Sequence, residues 1–124
     1  MKQKRPVNLD FSTFKLPLPA LTSIAHRISG VILFFGVTLL LYLFDLSLNS
    51  PSDFDRVKNL FSSFPMQVLT WVVVSALLYH LLAGIKHLIM DLGIGETIEG
   101  GKRGARLVIV FAAIGLVLAG VWIW

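Results

Sequence analysis

Three apolar stretches, each about as long as a lipid bilayer is thick and nearly free of charge, constrain what this chain can fold into more than any other feature. The first, Ile28–Leu48, reads ISGVILFFGVTLLLYLFDLSL and as a helix would reach roughly 31 Å, the depth of a hydrocarbon core. Asp45, its only acid, falls at the far end, where water is near. The second runs from Gln67 to Met90 and the third from Leu107 to Trp124, which is only just long enough to cross. The pattern predicts an all-α integral membrane protein: one domain of 124 residues with three transmembrane helices and a polar arm over residues 1–27 leading into the first of them. With 56% hydrophobic and 15% charged residues, a soluble domain of this size could not enclose its own apolar surface. Lipid must be its main solvent.

The chain has no cysteine, which excludes disulfides, thiolate-held zinc, iron–sulfur ligation and covalent haem attachment. Its formal net charge of +4 comes from residues beside the spans rather than from a basic stretch interleaved with aromatics, so membrane topology accounts for it better than nucleic acid does. Lys2, Lys4, Arg5, Lys15 and Arg27 precede span one, and Lys86, Lys102, Arg103 and Arg106 surround the turn between spans two and three. The other connector carries Arg56 and Lys58 against Asp45, Asp53 and Asp55. By the positive-inside rule the N-terminus is cytoplasmic and the C-terminus periplasmic. Tyr42, Trp71, Trp122 and Trp124 fall toward the expected outer ends, where aromatic belts form.

No cleavable signal peptide is expected, because the first apolar run begins late and is too long; Asp10 and the scarcity of serine speak against a mitochondrial presequence. The bacterial inner membrane is the simpler address. Pro17 and Pro19 are expected to keep a helix from running back from span one, leaving the N-terminal arm along the cytoplasmic surface.

A charge at the centre of a span costs about 2.5–3.5 kcal/mol on insertion scales, so intramembrane polar residues are candidates for function. Four stand out: His26, Arg27, His80 and His87. His80 lies about 20 Å into span two, at hydrocarbon depth. It reads either as a neutral imidazole bonded to a neighbouring helix or as a ligand. Gly84 and His87 follow on the same helical stripe, at i+4 and i+7. A glycine there serves close helix packing or opens a hollow into which a porphyrin could fit. Without cysteine such a haem would be b-type, with one axial histidine from this chain and a second from another. Its propionates would point toward the cytoplasmic end, where His87 and Arg27 sit.

Ser23, His26, Arg27 and Gly30 line one face at the mouth of span one. Arg27, with its five donors, could hold a quinone carbonyl or a haem propionate, or simply snorkel to lipid headgroups. Ser23 could join it or cap the helix. Ala112, Gly115 and Ala119 form a ridge suited to packing and nothing more.

KRPVNLDF (Lys4–Phe11), LTSIAHRISGVI (Leu21–Ile32) and above all YHLLAGIKHLIMDLG (Tyr79–Gly93) resemble the cytochrome b556 subunits of bacterial succinate dehydrogenases, the larger membrane anchors of respiratory complex II. The resemblance spans nearly the whole chain and weakens in Asn49–Pro65 and Ile94–Gly104. It implies a three-helix anchor that pairs with a second three-helix anchor, shares a haem b with it, and meets the iron–sulfur subunit, which in turn carries the flavoprotein. Carried over by position, His80 is the axial haem ligand, Ser23 and Arg27 belong to the ubiquinone site, and His26, Arg27, Gly84 and His87 lie near the haem. Two other classes share parts of this pattern: a haem-free anchor of the fumarate reductase type, which has no use for His80, and a small transporter or regulatory subunit using His80 and Arg27 as a proton or anion path.

Overall fold

The computed structural model describes residues 17–124. Most of the N-terminal arm, with Lys4–Phe11 and the basic residues before Pro17, lies outside the described residues. Four helices follow one another: α1 Leu18–Ser47, α2 Pro51–Phe61, α3 Phe64–Asp91 and α4 Ile98–Ile123. The all-α expectation holds, and α1, α3 and α4 are the three helices long and apolar enough to span a membrane.

The helices outrun the apolar stretches that announce them. α1 starts ten residues before Ile28, with Pro17 as its N-cap and Pro19 in its first turn. A proline in the first turn loses no hydrogen bond, because those N–H groups have no intrahelical partner. The two prolines therefore start the helix instead of blocking it, and Ser23 sits inside α1 rather than capping it. Pro65 occupies the matching place in α3. α4 begins nine residues before Leu107, where the Thr97 hydroxyl accepts a hydrogen bond from the Gly100 N–H at 3.0 Å. Gly100, Gly101 and Gly104 weaken this first stretch intrinsically. Packing offsets that, since Gly101 and Ala105 are buried, Ala105 completely.

The connector between α1 and α3, counted in the sequence only for its charges, holds a helix of its own, α2. Ser50 accepts from the Asp53 N–H at 3.0 Å, Pro51 takes the first helical position, and Asp53 faces the positive helix end. These are ordinary start signals. Val57 then docks on Leu43 and Met66, with Leu46 and Phe61 packed around them, which pins α2 across the ends of the two long helices.

The long helices meet along small residues. α1 buries Thr22, Ser29, Gly36 and Leu43, one every seven residues, the repeat of a shallow left-handed crossing. A Cβ on Gly36 would lie 2.7 Å from Val73 Cγ2, so the α1 backbone approaches α3 closer than any other residue would permit. α4 presents Gly101, Ala105, Val108 and Ala119, with Gly115 against Leu78, so the expected packing ridge is present and extends beyond the three residues named for it. Large side chains point outward: Phe34 is 69% and Trp122 82% exposed. In a membrane protein such a surface meets lipid or the apolar face of another helix.

The two ends of the bundle differ. At one end Trp124 donates to Gln67 Oε1 at 2.9 Å, Trp71 donates to the Leu116 carbonyl at 2.9 Å, and Trp71, Trp124 and Phe64 gather. At the other, α3 and α4 are joined by a turn with Gly93 and Gly95 at φ +86° and +72°. A Cβ on Gly100 would lie 2.7 Å from the Gly95 carbonyl oxygen.

Candidate functional site

Every residue singled out for chemistry in the sequence borders one cleft between α1 and α3. Ser23, His26 and Arg27 come from α1; His80, Leu81, Gly84, Ile85, His87 and Leu88 come from α3, around a volume of about 610 Å³. Helical periodicity assembles it. Ser23 and Arg27 are one turn apart, His80, Gly84 and His87 one turn apart each, and the two stripes face each other because the Thr22–Ser29–Gly36 seam brings α1 against α3. The α3–α4 turn, not the aromatic end, is the nearer end of the bundle. About 11 residues of helix, roughly 16 Å, separate His80 from Asp91.

His80 is held by one edge. Its Nδ1 lies 2.9 Å from Ser29 Oγ and 3.2 Å from the His26 carbonyl oxygen, and Gly30 leaves room for the ring: a Cβ there would come within 3.2 Å of His80 Cε1. Among the described residues Nε2 has no hydrogen-bond partner. Nearby, Tyr79 donates its hydroxyl proton to the Thr22 carbonyl at 2.6 Å, tying α3 to α1 beside the histidine. Thr22 itself is buried and donates to the Pro19 carbonyl at 2.8 Å.

The His26 ring stacks on His80, with centroids 4.0 Å apart and planes 10° from parallel. His87 meets His26 edge-on at 5.8 Å. The hollow expected beside Gly84 is shared with His26, whose Nε2 would lie 3.6 Å from a Cβ at Gly84. Arg27 and His87 are exposed at the rim, and Ser23 is half-buried between them and the cleft.

The donor set suits a flat, apolar ring carrying acidic groups at one edge. Leu81, Ile85 and Leu88 supply an apolar wall, Arg27, His26 and His87 a cationic or hydrogen-bond-donating rim, and His80 a single nitrogen free to bind a metal. No three His, Cys, Asp or Glu side chains converge on a chelating site among the described residues; a metal held by His80 would have to bring most of its ligands with it. A b-type haem fits that description. His80 would hold the iron, and Arg27, His26 and His87 the propionates.

Two contributors escaped sequence reasoning. Ser29 lies within the quoted LTSIAHRISGVI segment but was given no task. A serine inside an apolar run gives no signal until its partner on another helix is known. Tyr79 looked like the neighbour of a histidine, and its bond to α1 could not be read from spacing.

Three long apolar helices and a histidine-lined cleft between two of them define a multi-span membrane protein with its intramembrane polar side chains gathered at one place. The comparisons narrow this further. The family described as "Succinate dehydrogenase/Fumarate reductase transmembrane subunit" matches residues 1–119. The chain is 44% identical to the succinate dehydrogenase cytochrome b556 subunit of Coxiella burnetii over 125 aligned residues, covering 100% of both chains. It is 32% identical to the subunit of the same name from Paracoccus denitrificans, over 92% of this chain and 88% of that one. It is also 34% identical to the mitochondrial succinate dehydrogenase cytochrome b560 subunit of Sus scrofa, over 89% of this chain and 66% of that one. The chain belongs to the succinate dehydrogenase/fumarate reductase transmembrane subunit family.

Proposed function

We propose that this chain is the cytochrome b556-type anchor of a bacterial succinate:ubiquinone oxidoreductase, holding half of a haem b site and part of the site where ubiquinone is reduced. The observation that carries the reading is the convergence of Ser23, His26, Arg27, His80, Gly84 and His87 on one cleft in a chain of this family. Its relatives are named cytochromes of succinate dehydrogenase.

When bound, haem b supplies a one-electron carrier within the membrane. His80, kept in place by the contacts along its Nδ1 edge, would give its other nitrogen to the iron. Arg27, His26 and His87 offset the propionate charge at the rim. Gly84 keeps the α3 wall flat enough for the ring. Ser23 and Arg27 present a hydroxyl and a guanidinium to the carbonyl oxygen of a quinone arriving from the bilayer, where negative charge grows during reduction. Succinate chemistry lies elsewhere, in the flavoprotein. Electrons would reach this site through the iron–sulfur subunit, and a second three-helix anchor would complete the haem site.

The isolated complex tests this reading. A reduced-minus-oxidised spectrum is expected to carry b-type haem bands in amounts stoichiometric with this chain. A complex active with succinate but lacking any such absorbance would favour a haem-free anchor.

The proposed orientation puts the α3–α4 turn in the cytoplasm of a bacterium, with the inner membrane as its location. Lys102, Arg103 and Arg106 follow that turn, and the Phe64–Trp71–Trp124 group lies at the opposite end, an arrangement that the positive-inside rule and aromatic anchoring both favour. An alkaline phosphatase reporter fused after Trp124 is expected to be active, and one inserted within Glu96–Gly101 silent. The reverse pattern would invert the protein and move the quinone site away from the soluble subunits.

A further inference from the structure

Ser29 is nearly enclosed, at 5% exposure, and sits where a hydroxyl in an apolar environment must place its one proton. Two acceptors compete for it: the His26 carbonyl oxygen at 2.7 Å and His80 Nδ1 at 2.9 Å. His80 Nδ1 is in turn 3.2 Å from that same carbonyl. The carbonyl settles the arrangement because it can only accept. Were Nδ1 unprotonated, its lone pair would face the carbonyl's lone pair across 3.2 Å with no proton between them. With Nδ1 protonated, the contacts close. Ser29 donates to the His26 carbonyl, and His80 Nδ1–H donates to Ser29 Oγ and, more weakly, to the carbonyl. The lone pair is then on Nε2.

We propose that Ser29 is a positioning residue for the haem site: its hydroxyl oxygen accepts the His80 Nδ1 proton, fixing the imidazole in the tautomer and orientation that present Nε2 to iron. This rests on the reading of His80 as an axial ligand. A hydrogen-bonded Nδ1–H makes the opposite nitrogen a stronger donor and thereby stabilises ferric iron, as the outer partners of metal-bound histidines generally do. Gly30 belongs to the same device, since a side chain at that position would press on His80 Cε1 and turn the ring away from Ser29.

The test compares Ser29→Ala, Ser29→Cys and a control, Ser75→Ala, in the assembled complex. Ser75 is a buried hydroxyl on α3 with no hydrogen-bond partner among the described residues and makes no bond to His80. Ser29→Ala leaves only the longer carbonyl contact, so the haem is expected to stay bound while its midpoint potential rises and its low-spin electron paramagnetic resonance shifts. Ser29→Cys, with a weakly accepting sulfur, is expected to fall between Ala and the parent. Ser75→Ala is expected to leave both readouts unmoved. Should Ser29→Ala fail to assemble, the Ser29→Cys shift decides the matter alone. Parental potential and resonance in the Ser29 variants, with His80→Leu spectra clearly altered, would overturn the role of Ser29 and leave the ligand assignment standing. Parental spectra in His80→Leu would remove both.

Discussion

Replacing His80 with leucine is expected to abolish the low-spin bis-histidine spectrum of the membrane complex, either by loss of haem or by leaving iron with a single protein ligand. The size of the effect follows from the inventory of the cleft. His80 brings to hydrocarbon depth a ring nitrogen that no described residue engages, and leucine fills a similar space without a lone pair. The bundle should tolerate the exchange, since His80 is only half-buried and borders the open cleft beside Gly30 and His26. Optical spectra and electron paramagnetic resonance of the purified variant check it. If both matched the parent, His80 would not be a ligand, and its bond to Ser29 would be ordinary helix-to-helix satisfaction of a buried polar group.

The second large effect is expected at Arg27. Arg27→Leu removes a charged donor from the rim of the cleft, and hydrogen bonds to charged groups contribute about 1.5–3 kcal/mol, which corresponds to a loss on the order of 10- to 100-fold in succinate-to-quinone electron transfer. Ser23→Ala removes a neutral donor one turn away and should lower the rate about tenfold or less, since neutral bonds contribute about 0.5–1.5 kcal/mol. Succinate oxidation with a soluble artificial acceptor bypasses the membrane and should stay near parental in both variants. That split separates a quinone-site defect from a failure of assembly, which would depress both activities. Parental quinone reduction in both variants, with unchanged apparent quinone affinity, would return Arg27 to headgroup snorkelling.

Spacing made much of this legible. Intramembrane ionisable residues are rare enough that His26, Arg27, His80 and His87 stood out, and helical periodicity placed each on the face of its helix that lines the cleft. The facing of those two stripes was not legible, because it depends on the seam through Ser29 and Gly36, whose partners His80 and Val73 lie far away in sequence. The helix boundaries were hidden for a related reason. Hydropathy marks the part of a helix that lies in lipid, whereas helix ends are set by caps and by the first-turn tolerance for proline, as at Pro17, Pro19, Ser50 and Thr97. α2 was missed because an 11-residue amphipathic helix between two apolar spans resembles a polar linker when only its charges are counted.

The turn between α3 and α4 has a consequence at the level of the gene. Gly93 and Gly95 occupy the left-handed region, where most other residues pay about 1–2 kcal/mol, and Gly100 faces the Gly95 backbone with no room for a Cβ. Every codon for glycine begins with two guanines, so each amino-acid replacement reachable by one base change adds a side chain. Asparagine, which tolerates the left-handed region well, is two changes away. Third-position changes are silent, and aspartate, which also visits the left-handed region, is one change from two of the four glycine codons. At Gly100, where any Cβ meets the Gly95 backbone, every one-step replacement is excluded, so drift at that codon is confined to synonyms.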